Sequence, residues 1–107
     1  MPTLDQLLRV LETSPDDAFL LYGIAMEHAK LGDHRAALSF FDRALETDPA
    51  NPYHYYHKTR SLEALGTIEE ARAVLTLGLE RAHASGDAQA ISETAAYLDQ
   101  LDDANPD

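Results

Sequence analysis

The stretch LETSP at residues 11–15 recurs as LETDP at residues 45–49, so that four of five residues repeat at an offset of 34. Further identities at the same offset join residues of quite different types. These pairs are Leu4 and Leu38, Arg9 and Arg43, Tyr22 and Tyr56, Leu31-Gly32 and Leu65-Gly66, Ala37 and Ala71, and Leu45-Glu46 and Leu79-Glu80. Because such varied residues share one spacing, we interpret the chain as a tandem repeat, with a period typical of a helix-turn-helix unit.

Helix start and stop signals divide the chain into six predicted helices and no strand. Polar capping residues precede the apolar stripes, and a glycine ends three of the helices. Thr3 with Gln6, and Thr67 with Glu70, have the spacing of a capping box. The predicted helices span about residues 3–13, 17–31, 33–47, 52–65, 67–84 and 87–101. This prediction leaves the acidic residues 102–107 beyond the last helix.

The first complete unit carries the residue pattern of a known repeat family. Its pattern positions are Leu21, Ile24, Ala25 and His28 on the first helix, Ala37 and Phe41 on the second, and Pro49 at the end. They resemble the tetratricopeptide-repeat (TPR) pattern W-x2-L-G-x2-Y…A-x3-F…P. The resemblance implies an all-α fold, an α-solenoid of antiparallel helix pairs. Small alanines would let the paired helices approach, and Phe41 would fill the gap between them.

The second unit follows the same pattern less closely. Tyr55 stands at the tryptophan position, whereas Lys58 and Thr59 replace leucine and glycine. The residues that keep the expected type are Leu62, Ala71, Leu75 and Gly78. The resemblance implies a single TPR domain over residues 1–107, with two full units, an N-terminal half-unit helix and a C-terminal capping helix.

The composition predicts a soluble, cytoplasmic protein that binds neither nucleic acid nor membranes. Nineteen acidic residues against eight basic ones give a formal net charge of -11, which repels phosphate backbones and anionic lipids. The chain has no cysteine, which excludes disulfides, thiolate nucleophiles and cysteine-based zinc sites. Two interpretations of the acids stay open: a solvated face that keeps the protein soluble, or adaptation to high internal salt.

The TPR resemblance also implies a concave binding groove, lined by the first helix of each unit. The residues predicted to face it are Phe19, Tyr22, Met26, Lys30, Tyr53, Tyr56, Arg60, Glu63 and Tyr97. Stacked repeats would place Phe19 beside Tyr53, and Tyr22 beside its repeat equivalent Tyr56. Such an aromatic ladder suits the binding of a protein segment. For Phe19 and Tyr53, burial in the core is an open alternative, whereas helical phase favours the groove for the other two.

The predicted groove lacks the residues of one well-known TPR use. Grooves that clamp the C-terminal carboxylate of chaperones carry Lys, Asn, Asn, Lys and Arg. The resemblance maps these positions onto Tyr22, Met26, His57, Asp87 and Ile91. Because the cations and amides that grip a carboxylate are missing, we do not expect this ligand. The aromatic stripe favours an apolar segment of a partner protein, and the acidic background favours a basic one.

Catalytic and metal-binding signals are weak. His54 and His57 lie three residues apart on one predicted helix, a spacing that can share a metal ion, so a histidine metal site is a minor alternative. Histidines on the surface or in the groove are the simpler interpretation. The sequence contains no dinucleotide-binding glycine motif, P-loop or HExxH motif. We therefore predict no enzymatic activity and no cofactor.

Two functions follow from this sequence. The first is an adaptor that binds a protein or peptide through the aromatic groove. The alternative is a structural module that self-associates or docks through its end helices, with Leu98 and Leu101 as candidate contacts. The predicted oligomeric state is a monomer or a weak homodimer.

Overall fold

A computed structural model describes residues 2–105, over which the chain forms six α-helices and no strand. The helices are α1 (Leu4–Thr13), α2 (Ala18–Lys30), α3 (His34–Thr47), α4 (Pro52–Ala64), α5 (Ile68–Ser85) and α6 (Ala88–Ala104). The prediction of an all-α fold with six helices is confirmed. The last helix continues to Ala104, beyond the predicted end at residue 101. Residues 106 and 107 of the predicted acidic tail lie outside the described residues.

Short polar side chains begin most of the helices. The N-cap residues whose side chains accept a backbone N–H are Thr3, Asp17, Asp33, Asn51 and Asp87. Thr3 and Gln6 form the predicted capping box, with donor–acceptor distances of 2.8 and 3.2 Å. Gly32 and Gly66 follow α2 and α4 with the same positive φ of 81°, which glycine adopts without a steric cost. The turns therefore repeat with the sequence period.

The capping box predicted at Thr67 is wrong. The Thr67 side chain makes no hydrogen bond to the first turn of α5. Its hydroxyl instead donates to the backbone carbonyl of Leu62 at 3.0 Å. The threonine thus satisfies an acceptor at the end of α4, where helix carbonyls lack intrahelical partners.

The chain divides into two compact units, Met1–Pro49 and Ala50–Asp107. In the first, α2 packs against α1 and α3. Its core contains five of the residues that carry the TPR pattern together with Ala44; they are Leu21, Ile24, Ala25, Ala37, Phe41 and Ala44, each 0–1% exposed. Phe41 lies with Ala25 and Ala37 in one apolar cluster. The small residues let the helices approach closely enough for one phenyl ring to fill the space between them.

In the second unit, α5 packs against α4 and α6. Tyr55 of α4 lies so close to Gly78 of α5 that a Cβ added to the glycine would be 2.7 Å from the Tyr55 Cβ. Thr59 is fully buried, and its hydroxyl donates to the Tyr55 carbonyl at 2.8 Å. Lys58 is half-buried. The second unit, which matches the family pattern less closely, thus packs a tyrosine against a glycine between its helices.

Arg72 of α5 contacts the last turn of α6, the part of that helix that was not predicted. Its guanidinium Nε lies 3.1 Å from a carboxylate oxygen of Asp102, and Nη1 lies 3.3 Å from Glu69. Nη2 donates to the Asn105 carbonyl. The contacts to Asp102 and Asn105 join the end of α6 to α5, whereas the Glu69 contact lies within α5. The pattern of apolar positions along a sequence does not predict such an ionic contact.

Candidate functional site

In the first unit, the predicted groove residues lie on α2. The predicted groove residues Phe19, Tyr22, Met26 and Lys30 recur along one side of this helix. Phe19 is 84% exposed, so its alternative placement in the core is wrong. Tyr22 and Met26 are half-buried against the cluster around Phe41, with the rings of Tyr22 and Phe41 in edge contact at 6.2 Å. Lys30 is exposed and pairs with Glu27 at 3.3 Å.

A second aromatic group in this unit was not predicted. The half-buried Phe40 ring stacks on His28 with a centroid distance of 5.4 Å. The Arg43 guanidinium carbon also lies 5.4 Å from the Phe40 centroid. The spacing of three residues between Phe40 and Arg43 is a sequence signal for the second contact. The family pattern gave no reason to single out Phe40, because it assigns a role only to Phe41.

Tyrosines form a cluster on α4 and α6 in the second unit. The Tyr56 ring centroid lies 6.4 Å from Tyr53, 5.2 Å from His57 and 5.1 Å from Tyr97. Tyr53 and Tyr56 are half-buried, whereas Tyr97 is 8% exposed. We call Tyr53, Tyr56 and Tyr97 the tyrosine cluster. The structure therefore brings together three of the predicted site residues, and two of them retain solvent-accessible surface.

Tyr97 connects the tyrosine cluster to a carboxylate. Its hydroxyl donates to Glu63 at 2.6 Å, a contact between residues 34 positions apart. Burial raises the pKa of Tyr97, and the hydrogen bond and the negative charge of Glu63 raise it further. The phenol is therefore a fixed donor at neutral pH. Since its ring is mostly covered, Tyr97 orients Glu63 and Tyr56 and offers little surface of its own.

Charged groups surround the tyrosine cluster. Burial raises the pKa of Tyr53, with smaller contributions from the carboxylates of Glu93 and Asp87. Burial also lowers the pKa of His57 to about 4, with Arg60 acting in the same direction and Glu93 opposing it. His57 is therefore neutral at pH 7. Arg60 and Glu63, both predicted site residues, are exposed.

The histidine pair on α4 has a different setting from the predicted one. His54 is 3% exposed, so its placement on the surface or in a groove is wrong. His54 is one of the buried residues of α4, together with Tyr55, Thr59 and Leu62. Within residues 2–105, no group of three or more histidine, cysteine or acidic side chains is arranged to hold a metal ion.

The two leucines proposed as self-association contacts on α6 are more buried than predicted. Leu101 is 1% exposed and Leu98 is half-buried. Both therefore contribute to their own unit. Across the described part of the chain, no helix combines the length and the apolar character needed to cross a membrane.

Sequence comparison decides the family. Residues 28–93, more than half of the chain, match the family described as Tetratricopeptide repeat. The chain belongs to the tetratricopeptide repeat family. A TPR repeat-containing protein of Pseudomonas aeruginosa is 29% identical over 99 residues, which cover 92% of this chain and 94% of that protein. The photosystem I assembly protein Ycf3 of Synechococcus elongatus is 39% identical over 70 residues, which cover 57% of this chain and 40% of Ycf3.

Solved TPR structures agree with the fold. A tetratricopeptide repeat domain protein from Salinibacter ruber, solved by NMR, has a TM-score of 0.76 and 31% identity. The match covers 81% of this chain and 88% of that one. A protein from Bordetella parapertussis has a TM-score of 0.82 and 25% identity, and its match covers 94% of this chain and 88% of that one. The predicted helical-repeat fold is confirmed.

Proposed function

We propose that this chain is a non-catalytic TPR adaptor that binds another protein through aromatic side chains of each unit, on α2 in the first unit and on α4 in the second. The exposure of Phe19 is the observation that carries this proposal. An aromatic ring that is 84% exposed contributes little to the stability of its own unit. Covering a phenylalanine side chain with a partner stabilises a complex by roughly 2–3 kcal/mol. Exposed aromatic residues of this kind are frequent energetic centres of interfaces.

The tyrosine cluster supports the same role in the second unit. Tyrosine supplies a large contact area with few rotatable bonds and a polar group at its tip, so ordering it on binding costs little entropy. Tyr56 is further held by its ring contacts to Tyr53, His57 and Tyr97. Ycf3 is by name an assembly protein, and its similarity to 57% of this chain supports an adaptor that holds a client during assembly.

The adaptor role predicts that Phe19→Ala weakens partner binding at least tenfold without lowering stability. Partners are captured from lysate of the source organism, identified, and titrated calorimetrically against purified wild type and variant. Removing an aromatic side chain that is buried at an interface lowers the binding free energy by more than about 1 kcal/mol. A substitution at an exposed position changes the free energy of unfolding by about 0.5 kcal/mol or less. Tyr56→Ala is expected to weaken the same complex, with its helicity checked by circular dichroism.

Leu77→Ala on α5 is the matched control, since Leu77 is an exposed apolar residue (46%) on a helix that carries none of the predicted groove residues. It should leave the affinity unchanged. A partner that binds wild type, Phe19→Ala and Tyr56→Ala with equal affinity would move the binding site away from α2 and α4.

Self-association through an end helix is the second candidate. One observation favours it: Val10 of the end helix α1 is 51% exposed, although neighbouring leucines of α1 are packed into the core. Light scattering over a concentration series separates the two functions, because only self-association raises the measured mass with concentration.

A further inference from the structure

We propose that the tyrosine cluster, together with Glu93, Asp87 and Glu63, receives a positively charged arginine or lysine side chain of the bound segment. This inference rests on the proposed adaptor function and names the chemistry of the partner. We call this surface of α4 and α6 the cation face.

The rings of Tyr53 and Tyr56 lie close enough together to contact the same cation. Their centroids lie 6.4 Å apart and their planes are inclined at 57°. Both side chains are half-buried, so each is held by the unit and keeps part of its surface open. A guanidinium or ammonium group is attracted to an aromatic face when it lies within about 6 Å of the ring centroid. Two inclined rings can both lie within that distance of one bound cation.

Glu63 contacts the tyrosine cluster directly through Tyr97, and the charges of Glu93 and Asp87 contribute to the raised pKa of Tyr53. Glu93 is half-buried, and one of its oxygens accepts a hydrogen bond from the Gln89 amide at 2.7 Å. Glu63 accepts from Tyr97 at 2.6 Å, and Asp87 accepts from the Ala90 backbone N–H at 3.1 Å. Each carboxylate has further lone pairs for an incoming donor. Because they are already ordered, binding a cation costs them little conformational entropy.

The charges of this surface favour a cation over the other possible ligands. The cation face has three negatively charged carboxylates and one positively charged group, the guanidinium of Arg60. His57 adds no charge at pH 7, because burial lowers its pKa to about 4. Arg60 is exposed, so its side chain can turn into solvent when another cation arrives. An acidic segment would be repelled. A purely apolar segment would strip water from the carboxylates without replacing its hydrogen bonds.

The test uses two blocked pentapeptides with the sequence Leu-Xaa-Leu-Xaa-Leu, where Xaa is arginine in one and the neutral isostere citrulline in the other. Each is titrated into the ¹⁵N-labelled full chain and followed by amide chemical shifts. The arginine peptide should shift the amides around Tyr53, Tyr56 and Glu93 saturably, and it should bind about tenfold more tightly than the citrulline peptide. The shared leucines keep the apolar content of the two peptides equal.

Two charge-neutralising variants separate the cation face from general attraction by the acidic protein. Glu93→Gln should weaken the arginine peptide about fivefold and leave the citrulline peptide unchanged, because it removes charge at nearly constant volume. Glu80→Gln, an exposed change on α5, should alter neither affinity. Thermal unfolding of each variant confirms that the fold is retained.

Equal affinity for both peptides overturns the inference while leaving an aromatic binding face in place. Equal weakening by Glu80→Gln and Glu93→Gln also overturns it, since the attraction would then be nonspecific. Absence of shifts on α4 and α6 with either peptide overturns it as well. The adaptor function itself is decided separately, by the Phe19→Ala measurement with the captured partner.

Discussion

Phe41→Ala is expected to destabilise the protein by about 3–5 kcal/mol, the usual cost of removing a fully buried phenyl ring. Phe41 is 0% exposed in the cluster with Ala25 and Ala37, and its ring contacts Tyr22 edge-on. Alanines cannot reach across the space that the ring fills, so the substitution leaves a cavity. Chemical denaturation should show a large fall in the midpoint. The loss is a large fraction of the roughly 5–15 kcal/mol that stabilises a typical domain.

Phe40→Ala is the matched control, because it removes the same ring from the adjacent residue. Phe40 is half-buried and contacts His28 and Arg43, so its loss opens no enclosed cavity. We expect less than half of the Phe41 effect. Equal destabilisation by the two variants would contradict the assignment of Phe41 as the central packing residue of its unit.

Gly78→Ala is expected to destabilise the second unit by about 1–3 kcal/mol, the usual range for overpacking a close-packed site. The sign is the informative part, since alanine in a helix interior is normally favoured over glycine by about 1 kcal/mol. Here the new methyl group would lie 2.7 Å from the Tyr55 Cβ, so α4 and α5 must move apart. Thermal and denaturant unfolding of the full chain measure the change.

Gly23→Ala on α2 is the control for this experiment. A Cβ at Gly23 meets nothing within 4 Å, so only helix propensity acts and a stabilisation of about 0.5–1 kcal/mol is expected. Stabilisation by Gly78→Ala would show that the close contact is not limiting.

The fold was largely predictable because the sequence contains the same pattern twice, so that each copy supports the helices predicted for the other. The 34-residue offset aligned the two units before any helix was assigned, and the turn glycines Gly32 and Gly66 adopt the same φ. Where prediction failed, the structure shows a contact between neighbouring helices. The Thr67 hydroxyl donates to Leu62 at the end of α4, and Arg72 of α5 pairs with Asp102 of α6. The apolar periodicity of a single helix does not reveal either contact.

The sequence predicted which candidate residues share one side of a helix, but it did not predict how deeply each of them is buried. Phase placed Phe19 and Tyr22 on one side of α2, and the structure shows the first exposed and the second half-buried. The same reasoning could not foresee that Tyr97 is buried with its hydroxyl on Glu63. Burial there depends on how closely α6 approaches α4, and side-chain periodicity along a single helix carries no information on that distance.

Photocrosslinking in cells of the source organism tests the central claim most directly. The photoreactive p-benzoylphenylalanine is introduced in place of Phe19 and, as a control, in place of Leu77, both exposed apolar positions. Mass spectrometry then identifies the crosslinked peptide. The adaptor account predicts one recurring partner protein crosslinked from position 19 and absent from position 77. The same partner captured equally from position 77, or captured only there, would contradict it.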